Sequence, residues 1–129
     1  MDIESLRTQL ADAMAAGDED GYIDLMHPDL VFTTVAFGDH QVFRGRAGAR
    51  EWWEKREEAV VYDIYSARVE RISPHAIVIE ARMRHGETGQ GMEDAIAMWL
   101  VVERDGLVWR YQPVDSKAEA RAILETLGE

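Results

Sequence analysis

Residues 92–103, MEDAIAMWLVVE, constrain the fold of this chain more than any other stretch. At the two-residue period of a strand, Met92, Asp94, Ile96, Met98, Leu100 and Val102 share one face, and Ala95, Ala97, Trp99 and Val101 share the other. Both faces are mostly apolar, so both must be covered. Helices gathered on one side of a sheet cover one face only. A second copy of the chain is the simplest cover for the other, which predicts a homodimer through the sheet. A C-terminal helix or a long loop wrapping round is the alternative.

The rest of the sequence supplies the elements around that strand. Ile3, Leu6, Leu10, Ala13 and Met14 recur at helical spacing over residues 3–15, with Asp2 placed to cap the start and Gly17 to end the helix. Asp18 can cap a short second helix containing Tyr22, Ile23, Leu25 and Met26, which Pro28 stops. Residues 30–37, LVFTTVAF, read as a strand, and 46–59, after Gly45, as a third helix. Four strands follow, at about 61–72, 76–84, 92–103 and 107–114. Their turns are Ser73-Pro74, the glycine-rich HGETGQG and Asp105-Gly106. Ser116-x-x-Glu119 is a capping box ahead of a last helix carrying Ala120, Ile123, Leu124 and Leu127. The order ααβ-α-ββββ-α predicts an α+β domain with a mainly antiparallel sheet.

Composition narrows the function classes. The length of 129 residues fits a single domain spanning 1–129, and 47% hydrophobic residues can build a core without staples. With no cysteine, disulfides, thiol nucleophiles and thiolate metal sites are excluded. The formal charge of −11, from 25 acidic and 14 basic residues, disfavours nucleic acid and anionic membranes as partners. MDIESLRTQL lacks the apolar core of a secretory signal, and no apolar run approaches a membrane span, so the cytoplasm is the expected location.

Three short patterns occur in order: Gly17-Asp18 with Leu25-Met26-His27-Pro28-Asp29, then Phe43-Arg44-Gly45-Arg46 with Arg50-Glu51-Trp52-Trp53, then Arg104-Asp105-Gly106-Leu107-Val108 leading to Tyr111 and Asp115. They resemble the start, the turn into the third helix and the last hairpin of the nuclear transport factor 2-like superfamily, and most closely of its SnoaL-like, polyketide cyclase-like branch. The resemblance implies a cone: N-terminal helices packed on a strongly curved antiparallel sheet that encloses a pocket. It does not fix a reaction. The family's ketosteroid isomerases need a carboxylate base, a tyrosine and a protonated aspartic acid. The matching positions here are Thr34, Leu10 and Met98, so that set is vacant. Limonene epoxide hydrolases use an Asp-Arg-Asp set. Asp115 matches one member, but Ile79-Glu80-Ala81-Arg82-Met83-Arg84 offers arginines without the second aspartate.

SnoaL-like cyclases work by acid/base chemistry, for which Asp115 and Asp94 are the candidates. By strand alternation Asp115 shares a face with Trp109, Tyr111 and Pro113, and Asp94 with Ile96 and Met98. A carboxylate desolvated among such groups has a raised pKa suited to proton transfer. Against this, Asp115 can simply cap the last helix or pair with an arginine, and Asp94 can sit in water near the glycine-rich turn. His40 is the histidine placed to face a pocket mouth, whereas His27 sits in a structural His-Pro-Asp turn. No histidine pair has metal-ligand spacing, no Gly-x-Ser-x-Gly is present and no phosphate loop follows a strand, so neither metal nor cofactor is expected. Tyr22, Phe32, Phe43, Trp53, Met98, Trp109 and Tyr111 are the expected pocket wall. Trp52 and Trp53, about 100° apart on one helix, are not expected to serve the same interior.

The reading that results is a small-molecule pocket protein. It binds, or transforms by cofactor-free acid/base chemistry, a mostly apolar metabolite, with Tyr111, His40 or Tyr22 orienting it. A non-catalytic binding or dimerisation module is the first alternative. A hydrolase or isomerase with an unfamiliar residue set is the second.

Overall fold

A computed structural model describes the backbone of residues 2–34, 41–56, 61–86 and 93–128, and their side chains except at 56, 61–67, 83–86 and 93–96. The first apolar stripe forms α1 (Ile3–Ala16), which buries Ile3 and Leu6. The Asp2 carboxylate accepts the Ser5 N–H at 2.8 Å, and left-handed Gly17 closes the helix. Asp18 caps α2 (Glu19–Asp24) by accepting the Gly21 N–H at 3.0 Å.

β1 (Met26–Thr34) begins at Met26, not at residue 30. Pro28 therefore stands inside a strand. It is tolerated because pairing with the neighbouring strand is irregular between Met26 and Val31, where a missing N–H interrupts little. Residues 35–37, expected in this strand, lie outside the described residues. β2 (Gln41–Arg44) was not expected: four residues are too few for a periodic signal. The chain then turns through Gly45, at φ 66°, into α3 (Gly45–Arg56). Next come β3 (Val61–Ser73), β4 (Ala76–Gly86), β5 (Glu93–Arg104) and β6 (Leu107–Pro113). Asp105 and Gly106 join β5 to β6, both at positive φ as a tight two-residue hairpin requires. α4 (Lys117–Leu127) ends the chain. Ser116 accepts the Glu119 N–H, and the Glu119 carboxylate reaches back to the Asp115 N–H.

The six strands lie in the order β2-β1-β6-β5-β4-β3 in one open sheet. The sheet is mixed, where an antiparallel one was expected. β1 runs parallel to β6, with Phe32 opposite Tyr111. These two strands are far apart in sequence, so no hairpin dictates their relative direction. Register shifts in β1, β3 and β6 introduce the bulges that bend a sheet.

On both faces of β5, residues 100–102 are buried within the chain. On the inner face Ile77 and Val101 pack with Ile3, Leu6, Tyr22, Ile23 and Trp53 from α1, α2 and α3. On the outer face Ala76, Val78, Leu100 and Val102 pack with Ala120 and Leu124 of α4. The C-terminal helix thus supplies the outer cover over β4 and β5.

Two buried polar residues tie the sheet's hairpin end together. His27 Nδ1 accepts the Asp29 N–H at 2.9 Å, and its Nε2 lies 3.3 Å from the Asp105 carboxylate. Glu103 accepts the Gly106 N–H at 2.9 Å and contacts His75 across the neighbouring turn. His27 therefore has the structural role its turn implied.

Candidate functional site

The inner face carries an aromatic row set by strand register. Phe43, Phe32, Tyr111, Val101 and Ile77 are successive partners across β2, β1, β6, β5 and β4. Phe32 and Tyr111 stack at 4.5 Å with their planes 7° apart, and Phe43 meets Phe32 edge-on at 6.5 Å. From the helix side, Trp52 lies 4.9 Å from Phe32. Tyr22 of α2 sits against both Trp52, at 5.8 Å, and Trp53, at 5.1 Å. Both tryptophans of α3 therefore serve one interior, contrary to expectation. A 100° separation on a helix is bridged when one large ring from another helix fits between the two.

Glycines let α3 come this close. A Cβ on Gly48 would lie 2.8 Å from the Phe43 carbonyl carbon, and one on Gly45 would lie 3.1 Å from the Pro28 oxygen. The backbone of α3 thus rests directly on β2 beside Phe43.

Tyr111 has the most distinctive environment in the row. It keeps part of its surface accessible, yet desolvation by the surrounding protein pushes its hydroxyl pKa up to about 12. Further along the inner face, Trp99 is opposite Ile79 and Ile79 opposite Val69, and the next row is Ala97, Ala81 and Ala67. Ala81, in the middle of that row, is buried.

The expected wall residues divide between the two faces. Tyr22, Phe32, Phe43, Trp53 and Tyr111 come together on the inner face. Met98 and Trp109 belong to the outer core with α4. Strand alternation had placed Trp109 with Tyr111, and a bulge breaks that alternation. Val102 pairs with Arg110, but Glu103 pairs with Val108, so Trp109 is an extra residue in β6 and turns to the other side.

The candidate acids are likewise separated. Asp115 is exposed just before α4, so its carboxylate remains in water and the desolvation expected of it is not present. Asp94 is in register with Arg84, itself opposite Asp63, on the strand parity of Met98 and Leu100. The side chain of Asp94 and all of His40 lie outside the described residues. Trp52 belongs to the apolar stripe that helical spacing marks on 46–59, but its place in the same interior as Trp53 was not expected. Its pairing with Trp53 was the available signal. Among the described residues no three His, Asp or Glu side chains gather as metal ligands, and no helix is long and apolar enough to cross a membrane.

Three N-terminal helices over the aromatic face of a bent, open mixed sheet define an α+β architecture of the nuclear transport factor 2-like kind. The chain belongs to the SnoaL-like domain family, whose profile matches residues 8–111. No curated protein sequence matches it significantly. Among solved structures, a nuclear transport factor 2-like protein from Burkholderia xenovorans LB400 superposes with a TM-score of 0.73 at 16% identity, over 92% of each chain. A polyketide cyclase candidate from Sinorhizobium meliloti gives 0.64 at 17% identity, over 85% of this chain and 94% of that one. TerC, co-crystallized with polyporic acid, gives 0.66 at 14% identity, over 94% of this chain and 96% of the other. At these identities the likeness establishes the fold.

Proposed function

We propose that the chain is a small-molecule pocket protein that takes a mostly apolar ring compound between its N-terminal helices and the inner face of the sheet. The observation that carries this reading is Tyr111: stacked on Phe32, deeply desolvated, and still presenting accessible surface. Trp52 and Tyr111 keep accessible surface beside the buried rings of Phe32 and Tyr22. With its pKa at about 12, the Tyr111 phenol stays protonated at neutral pH and supplies a hydrogen-bond donor to a carbonyl or an enolate-like oxygen. That TerC was co-crystallized with polyporic acid supports the reading by fold analogy.

If the protein is an enzyme, this arrangement suits cofactor-free acid/base chemistry, with Tyr111 as hydrogen-bond donor. Asp115, Asp94 and His40 remain the proposed proton-transfer groups. Asp115 is the least favoured of them, because water surrounds it.

The test is a thermal-shift and tryptophan-fluorescence titration with polyporic acid and a panel of planar ring compounds. A saturable rise in melting temperature is expected. Ligand at about 100 times its dissociation constant stabilises by roughly 2.7 kcal/mol. Tyr111→Phe should weaken binding about tenfold, as loss of one buried hydrogen bond does. No saturable shift with any compound, or equal binding by Tyr111→Phe and Tyr111→Ala variants that remain folded, would remove the proposal.

A further inference from the structure

The arginines of the helical layer differ in what they hold. Arg46 Nε donates to the Met26 carbonyl at 2.9 Å, and Arg50 pairs with Asp20 at 3.1 Å. Arg7, in the second turn of α1, is half-buried, and its Nε is closed off from solvent without a hydrogen-bond partner. Among the described residues no carboxylate lies at ion-pair distance from it. A buried N–H left in this state is a net cost to the fold, and a cationic one the more so. Packing does not require it, because Ile3, Leu6 and Leu10 supply the apolar contacts of α1.

Position 7 is also where α1 meets β3, the last strand at that edge of the sheet. Arg7 lines a recess of about 420 Å³ together with Glu4, Ser5 and Thr8 of α1 and Val69 of β3. Val69 belongs to the inner face. It packs against the inner core and stands opposite Ile79, which stands opposite Trp99. Those three side chains are half-buried, whereas Ile77 and Val101, in the neighbouring row of the same face, are buried. Arg7 thus stands at the end of a partly accessible apolar row. Val69 and Tyr111 are three strand spacings apart, roughly 14 Å along the sheet. The polar neighbours of Arg7 do not neutralise it. The Thr8 hydroxyl donates to the Glu4 carbonyl at 3.2 Å, and Glu4 itself is exposed, with its carboxylate in water.

We propose that Arg7 is the anion-recognising residue of the inner-face pocket, and that the ligand is an acidic ring compound. Its carboxylate pairs with the Arg7 guanidinium while its rings lie along Val69, Ile79 and Trp99. This names a ligand class for the pocket proposed above and rests on that reading. The net charge of −11 repels anions from the molecule as a whole, so a preference for an acid needs a local cation. A half-buried guanidinium without a carboxylate partner supplies one, in surroundings where a charge-assisted hydrogen bond counts for more than it does in water.

Calorimetric titration of the intact chain tests this with two probes, a naphthoic acid hydroxylated on its far ring and the methyl ester of the same compound. The acid is expected to bind about tenfold more tightly than the ester. Arg7→Met keeps an apolar stem and removes the donors. It should abolish that preference, leave the affinity for the ester unchanged and, without ligand, melt no lower than the parent. Arg7→Lys should restore part of the preference. Arg121→Gln, on the exposed side of α4, should leave it intact. Equal affinity of acid and ester in the parent, or a preference that survives Arg7→Met, overturns the role of Arg7 and leaves the pocket standing. A preference lost equally in Arg121→Gln marks a general charge effect and overturns it too. Failure of both compounds to bind at millimolar concentration overturns the pocket reading and this proposal with it.

Discussion

Tyr111 shows how one residue's surroundings set its chemistry. In the unfolded chain its phenol ionises near pH 10, and in the fold near pH 12. Between those values the unfolded chain has lost a proton that the folded chain retains, so folding stability falls as pH rises through this window. The contribution is fully present below about pH 10. Its loss by about pH 12 amounts to at most roughly 2 to 3 kcal/mol. Denaturant melts across this range should show that fall, and Tyr111→Phe should flatten it. An equal slope in the variant would mean that other groups govern the alkaline limb. That Tyr111, Phe32, Tyr22 and Trp53 would meet was legible from their types and spacing. That Trp109 would leave them was not, because a one-residue bulge changes every side-chain face beyond it and has no composition of its own.

At the scale of elements, the long periodic pieces were readable and the short, glycine-dependent ones were not. α1, α4 and the last four strands fall within a few residues of the positions their periodicity implies. β2 is only four residues long, and the start of β1 was hidden behind Pro28. β2 nevertheless organises the site, because α3 lies on it through Gly48. Adding a methyl there brings a carbon to 2.8 Å from main-chain atoms of Phe43, which have no rotamer to escape into. Gly48→Ala should therefore cost about 1 to 3 kcal/mol despite its better helix propensity, with α3 and Trp52 displaced from Phe32. Urea melts give the cost, and tryptophan fluorescence reports the displacement. A variant within about 0.5 kcal/mol of the parent would show that α3 can slide on β2 freely.

At the scale of the whole molecule, the two apolar faces of β5 posed a question that the chain answers partly by itself. α4 covers Ala76, Val78, Leu100 and Val102, which reduces the surface that a second copy would need to bury. The sheet-to-sheet homodimer proposed from the sequence then takes a narrower form: it would use only the part of the outer face that α4 leaves uncovered. Two such chains each carry a formal charge of −11 and repel one another, while whatever apolar surface they bury attracts. Salt screens the repulsion, with a Debye length that falls from roughly 20 Å at about 20 mM to about 6 Å at about 300 mM, and leaves apolar burial nearly untouched. The dimer fraction at micromolar protein should accordingly rise with salt over that range when followed by light scattering. Monomers at both ionic strengths would remove the dimer, since neither cause of weak pairing would then be the limiting one. A dimer that dissociates as salt increases would place ion pairs at its interface, with Arg44 and Arg110, the cross-strand neighbours of Val31 on the outer face, the first to substitute.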